Sequence, residues 1–287
     1  MTTTLIKFAL SGRLSPFTFK KAPNFLPDTG TLDYGLYVHI PFCRTICPFC
    51  PYYKTLYDES LMADYAEALL LEIETASMRA DKPRGKATTL YFGGGSPALA
   101  APYLTRVMER FRSNFGFDGH AGIELHPRDA TNETLSAVKA AGIDMVSLGA
   151  QSFQPKLLDA LDRGQSSPLE ALRRIAGYGF TAVDVDLIFG IPGQTDADLA
   201  EDFRIAARNG ATQISTYPFI DFSYANNRRK PLGRGDKKRM LRTLAEVSEA
   251  EGFARTSVWT FGKAAAPRYS SITRDNFLGF GPSATSL

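Results

Sequence analysis

Cys43, Cys47 and Cys50 are the only cysteines in the chain, and they fall within eight residues of one another in the stretch LYVHIPFCRTICPFCPYYK, residues 36 to 54. Thiols concentrated in this way bind something. Three thiolates hold three irons of a four-iron cluster and leave the fourth iron open to a ligand, whereas clusters that only transfer electrons usually take four cysteines. A structural zinc site completed by His39 is the other reading. His39 sits in a β-branched, apolar run, so strand alternation decides whether it faces the thiols at all.

Other groups with chemical potential follow at intervals. Gly93-Gly94-Gly95-Ser96-Pro97 removes three successive Cβ atoms, which lets a ligand approach the backbone and bond to it, although a Gly-rich turn is also an ordinary connection. Glu124 in Glu124-Leu125-His126-Pro127 could bind a ribose diol or an amine, or serve as a helix cap or ion-paired acid. Gln151 and Arg163 come next. Asp184 and Asp186 are two residues apart in an apolar run, so they share one face of a strand, which fits a polar face or a cavity wall. Cationic residues crowd Arg228 to Arg239, RRKPLGRGDKKR, with one acid, Asp236. That run is either a solvated loop and helix start or a contact for substrate carboxylates or an acidic electron donor.

Short apolar runs over 35–40, 88–93, 121–125, 144–149, 181–188 and 212–218 read as strands. Helical periodicity covers 60–79, 99–114, 131–141, 155–176, 196–208 and 236–251, with the fourth helix broken around Gly164 and Pro168. Six strand–helix units in succession require parallel strands joined by right-handed crossovers. An open doubly wound sheet and a barrel-like sheet both satisfy this. Polar, Gly-rich or Cys-rich residues follow the C-terminal end of nearly every strand, which favours an α/β fold of the partial (β/α)6, TIM-like barrel kind. Residues 1–33 have no clear period and read as an N-terminal arm, 34–252 as the core, and 253–287 as a closing segment in which 253–259 adds an edge strand.

At 287 residues and 44% hydrophobic content, the chain suffices for one large core. It has no apolar run of about 18 residues and no secretory leader at its N-terminus, so the expected compartment is the cytoplasm. A formal charge of +3 is too small to suggest nucleic acid. Three cysteines in one cluster fit a reducing setting better than a disulfide framework.

The C-x3-C-x2-C spacing, with Phe49 before the third cysteine, resembles the cluster signature of the radical S-adenosylmethionine (SAM) superfamily. HIPFC, GGGSP, the E-x-x-P of Glu124 to Pro127, GAQSF and DLIFGIPGQT together resemble its oxygen-independent coproporphyrinogen III oxidase branch over about residues 34 to 220. The resemblance implies a [4Fe-4S] cluster on Cys43, Cys47 and Cys50. It also implies SAM contacts from Tyr37, Phe49, Gly94, Gly95, Ser96, Glu124, Gln151, Arg163 and Asp186, with Tyr37 carried over as catalytic too. The implied chemistry is reductive cleavage of SAM to a 5'-deoxyadenosyl radical. A flavodoxin- or ferredoxin-like donor would supply the electron, and the substrate would be a tetrapyrrole or another large conjugated molecule. Coproporphyrinogen oxidases usually carry a fourth cysteine two residues after the third, where this chain has Tyr52. An aromatic there is similar to relatives that are radical methyltransferases and to a haem-chaperone branch, and methyl transfer with a second SAM is the first expectation. Coproporphyrinogen oxidation is the second, and a haem chaperone, for which His126 is the candidate ligand, is the third. Family members continue into a further domain of roughly a hundred residues. The expectation is therefore that such a domain is missing after Leu287, or that the chain is a minimal form.

Overall fold

The computed structural model of the protein describes residues 32–220, 230–267, 276–284 and 286. The expected arm lies outside the described residues except for Leu32 and Asp33. The chain opens with strand β1 (Tyr34–Ile40), followed by the short β2 (Phe42–Cys43) and β3 (Thr55–Leu56), and then by helix α1 (Glu59–Ser77). Five further strands alternate with helices: β4 (Ala87–Gly94), α2 (Leu104–Phe115), β5 (His120–Leu125), α3 (Asn132–Ala140), β6 (Met145–Gln151), α4 (Pro155–Ala160), α5 (Pro168–Ala176), β7 (Ala182–Phe189), α6 (Asp196–Arg208), β8 (Gln213–Pro218) and α7 (Arg234–Ala250). Three short strands end the fold, β9 (Ala254–Arg255), β10 (Thr260–Gly262) and β11 (Phe277–Phe280).

Neighbouring strands run in the order β11-β1-β4-β5-β6-β7-β8-β10-β9. From β11 to β8 the pairings are parallel, and β10 and β9 join antiparallel. The sheet is thus the expected α/β partial barrel, with β11 and β9 as its open edges. Its closing segment departs from the single edge strand expected over 253–259. Part of it, β9 and β10, lies beyond β8, while β11 crosses to the other side and pairs with β1.

One face of each central strand is apolar and faces the helices. Leu36, Val38, Leu90, Phe92, Ile123, Val146, Val185 and Leu187 pack with Ile73, Phe111, Val138, Leu172 and Phe203 of the helices in one continuous core. Each such side chain contributes about 1.5–3 kcal/mol by leaving water. The alternate positions, among them His39, Tyr91, Glu124, Ser147, Asp184, Asp186 and Ser215, face inward, so the concave side of the sheet is polar.

Local sequence accounts for the helix ends. Asp58 caps α1 by accepting from the Leu61 amide, and Thr195 and Asp198 form a reciprocal capping box on α6. The expected helix over 155–176 is indeed split into α4 and α5. Before α2 the chain forms a 3₁₀ segment from Pro97 to Tyr103, because Pro97 and Pro102 lack the amide hydrogens that a continuous helix needs there. No described helix is long and apolar enough to cross a membrane.

Candidate active site

A cavity of about 500 Å³ opens at the C-terminal ends of the parallel strands, within the size range of small-molecule sites. The cysteine loop forms one wall. β2 and β3 pair at its base, where the Thr55 amide donates to Pro41 O (2.7 Å) and the Tyr57 amide to Cys43 O (2.9 Å). Lys54 Nζ reaches back to the carbonyls of Cys50 (2.7 Å) and Tyr52 (3.1 Å). Arg44 pairs with buried Asp129 at 2.8 Å, and Asp129 also accepts from the Ser96 hydroxyl, which ties the cysteine loop to the Gly-rich turn. Sequence reading gave Asp129 no role, since nothing in its own neighbourhood marks it as a strut.

His39 is a second strut. Its Nε2 donates to the Tyr53 carbonyl at 2.9 Å and its Nδ1 accepts from Tyr37 Oη at 3.1 Å, so both ring nitrogens are engaged. A zinc site of three cysteines and His39 is therefore not formed. Nor, among the described residues, do any three His, Cys, Asp or Glu side chains converge tightly enough for a single metal ion. Tyr37 stacks on Tyr91 with ring centroids 6.1 Å apart and stands behind the cavity wall. Cys43, Cys47, Cys50, Phe49, Gly94, Gly95, Ser96, Glu124, Gln151, Arg163 and Asp186 all line the cavity.

The glycines also hold the cysteine loop. The amides of Gly94, Gly95 and Ser96 donate to Glu124 Oε2 (3.2 Å), Ile40 O (2.8 Å) and Phe42 O (2.7 Å), so their hydrogens are spent within the protein. A Cβ on Gly95 would stand 2.5 Å from Phe42 O, and Gly94 has a φ of 115° with its missing Cβ against the His39 ring. The turn is glycine so that it can lie against the mount of the cysteine loop.

Charge within the cavity is unbalanced. Burial pushes Cys43 up to about 12, with Cys50 and Cys47 adding to the effect, and burial also raises Cys47 against the pull of Arg163. Half-buried thiols like these surrender their protons when a metal takes their place. Arg163 is 8% exposed and lies near the three thiols and Asp186, yet its Nε has no partner. Glu124 accepts from Tyr91 Oη (2.8 Å), and burial still raises it to about 7. Asp186 accepts from Ser147 Oγ (2.8 Å) and is raised by burial and by Asp184 and Glu124. Asp184 is raised to about 6 by burial, and its Oδ1 is buried without a partner although Gln213 and Ser215 bond to Oδ2. A cationic ligand with a carboxylate of its own would satisfy these groups. The donor set therefore fits an iron–sulfur cluster bound next to SAM.

Gln151 ends β6 with a φ of 68°, and the pairing of β6 with β7 shifts register between Leu148 and Gln151. A non-glycine residue held in the left-handed region costs energy, and such residues gather at functional sites. Asp202 on α6, fully buried, supports it by accepting from Ser152 Oγ (2.6 Å), the Phe153 amide (2.8 Å) and Gln154 Nε2 (3.1 Å). A polar residue on the apolar stripe of α6 was the available signal for Asp202. Phe49 packs on Phe219 with centroids 6.3 Å apart.

Of the other histidines, His120 is exposed and pairs with Asp144 at 2.6 Å. His126 lines the cavity, where burial and then Arg163, Arg128 and Arg44 push it down to about 3, leaving a neutral imidazole. In the basic run, Arg228 and Arg229 lie outside the described residues. Arg239 is spent on Asp196 (2.6 Å) and Asp236 (2.9 Å), and Lys237 donates to Phe219 O at 2.6 Å.

The model of the radical SAM superfamily matches residues 37–206. The heme chaperone HemW of Mycobacterium tuberculosis is 33% identical over 213 residues, 70% of this chain and 54% of that protein. The oxygen-independent coproporphyrinogen III oxidase of Pseudomonas aeruginosa is 30% identical over 236 residues, 76% of this chain and 50% of that protein. The chain thus spans about half the length of these curated relatives. Among solved structures, coproporphyrinogen III oxidase from Escherichia coli superposes with a TM-score of 0.79 at 24% identity, covering 89% of this chain and 65% of that one, and so shares the fold. By the match over residues 37–206, on the segment that carries the three cysteines and the cavity, the chain belongs to the radical SAM superfamily.

Proposed function

We propose that the chain holds a [4Fe-4S] cluster on Cys43, Cys47 and Cys50, binds SAM in the adjoining cavity, cleaves it reductively and acts on a tetrapyrrole. The observation that carries this reading is that three half-buried thiols, the unpartnered Arg163 Nε and the raised acids Glu124 and Asp186 line one cavity. Cluster and SAM together supply one-electron cleavage of the sulfonium and hydrogen abstraction by the resulting carbon radical. Arg163 offers its open Nε–H to the carboxylate of SAM. Glu124 and Asp186 carry protons that they release as they take up its cationic amine and ribose hydroxyls, so binding neutralises the cavity. Phe49, backed by Phe219, keeps that wall apolar and water away from the reacting carbon.

The tetrapyrrole assignment rests on the names of the relatives, a heme chaperone and a coproporphyrinogen oxidase. Neither name refers to methyl transfer, so methyl transfer with a second SAM has no support from them. Tyr52, 64% exposed where the oxidases carry a further cysteine, favours the chaperone as the second reading. Both are tested by incubating the reconstituted chain with SAM, dithionite and either coproporphyrinogen or haem, and weighing the tetrapyrrole by mass spectrometry. A decarboxylated or otherwise altered macrocycle supports turnover. Stoichiometric haem bound unchanged supports the chaperone, and a macrocycle neither bound nor altered contradicts the tetrapyrrole assignment.

A further inference from the structure

At the mouth of the cavity, on the β8 side, two aromatic rings stand at an angle. Tyr217 and Trp259 have ring centroids 6.2 Å apart and planes inclined at 68°. Both line the cavity, and both are partly open, at 46% and 37% exposure. Large rings left in water on a surface tip cost solubility and contribute little to the core.

The backbone beneath them is braced. Thr216, fully buried, donates from its amide (2.7 Å) and its hydroxyl (2.9 Å) to the Trp259 carbonyl. The tip between β9 and β10 is closed by the Thr256 amide on Thr260 O at 2.8 Å and by Arg255, whose guanidinium donates to Ser257 O and Val258 O. Tyr217 directs its hydroxyl inward to Ser215 while its ring stays at the surface. The two rings therefore form an L-shaped notch whose position is set before any ligand arrives.

We propose that the Tyr217–Trp259 notch takes the face of a flat, conjugated macrocycle bearing peripheral carboxylates, so that the macrocycle lies across the cavity mouth. Ring pairs favour offset stacking on one face and edge contact with the other, and the notch offers both. Tyr52 and Ile220, also in the cavity wall and 64% and 43% exposed, extend the apolar floor. On the wall formed by the β5 end, Arg128 lines the same mouth, its guanidinium bonded among the described residues only to the neutral Gln165, and supplies positive charge for a carboxylate. This inference rests on the tetrapyrrole reading and names the surface that would recognise it.

Trp259 is the chain's single tryptophan, so its quenching reports a tetrapyrrole bound in its vicinity, and the variants localise it to the notch. The cluster-loaded chain is titrated with coproporphyrin III and with haemin, reading both tryptophan quenching and the Soret band. The expected result is saturable quenching with a matching Soret shift. By the Soret band, Trp259→Ala and Tyr217→Ala each weaken binding by about tenfold and Trp259→Phe restores most of it, while Leu71→Ala, an exposed apolar change on α1, has no effect. Tyr217→Leu serves if the alanine variants lose their fold. Native affinity in the Trp259 and Tyr217 variants would overturn the notch and leave the tetrapyrrole reading standing. No saturable binding by the native chain would overturn both. A dimer that dissociates in Trp259→Ala, with porphyrin affinity unchanged, would assign the notch to a second copy of the chain instead.

Discussion

Arg163 is the buried cation of the cavity, and the residues around it are acids and thiols. If its open Nε–H meets the carboxylate of SAM, Arg163→Met weakens SAM binding at least tenfold, as expected for loss of a charge-assisted hydrogen bond in a buried site. Calorimetric titration of the reconstituted variant checks this, and unchanged affinity would refute the role. Glu124 gives a prediction in pH. Its folded value of about 7 lies above the unfolded carboxylate range. The folded chain then holds the extra proton between roughly pH 4 and 7, so this contribution to stability is present at acid pH and lost as pH rises through about 7. From pH 5 to 8 the cluster-free native chain should lose more stability in urea than Glu124→Gln does, by upwards of ~1 kcal/mol. Parallel losses in the two proteins would show that Glu124 is ionised throughout. The cysteines, Glu124, Gln151 and Asp186 were legible in sequence because they stand in distinctive words at strand ends, while Arg163, which follows α4, was reached only through the family resemblance. Asp129 and Trp259 were not legible, because their partners are supplied by folding from distant segments, and Asp202 showed only as a polar residue on an apolar helix stripe. For Tyr37, sequence cannot tell a ring in the cavity from one packed behind it.

At the scale of elements, the site depends on how closely the cysteine loop lies against the Gly-rich turn after β4. Gly95→Ala puts a methyl against the Phe42 carbonyl, a backbone atom that cannot move without the loop. It should cost more than ~2 kcal/mol and reduce iron bound per chain although all three thiols remain. Normal iron content with native stability would show that the loop is free of the turn. Asp202→Ala leaves the Ser152, Phe153 and Gln154 donors without their shared acceptor, at a cost of about 2–4 kcal/mol, and Asp202→Asn recovers part of it. Denaturant midpoints of the two variants measure the difference. The central strands and the break between α4 and α5 were readable because apolar periodicity and proline act locally. The 3₁₀ entry to α2 was missed because helical periodicity outweighed Pro102.

Across the whole molecule, the order of the sheet follows from repeated strand–helix units and their fixed handedness, so the partial barrel was legible before any coordinates. Its edges were not. Both β9–β10 and β11 are short, and pairing across the molecule rather than local pattern decides where they go. Those edges matter, since β10 brings Trp259 to the cavity mouth and β11 covers β1, the strand that carries the cysteine loop. The assembled cavity is proposed to break SAM by one-electron reduction. The most direct measurement is anaerobic reconstitution with iron and sulfide, then dithionite and SAM, with 5'-deoxyadenosine read by chromatography beside the Cys43→Ala, Cys47→Ala, Cys50→Ala triple variant. The expected result is 5'-deoxyadenosine from the native chain and none from the variant. A native chain that carries its full cluster and SAM but forms no 5'-deoxyadenosine would contradict it.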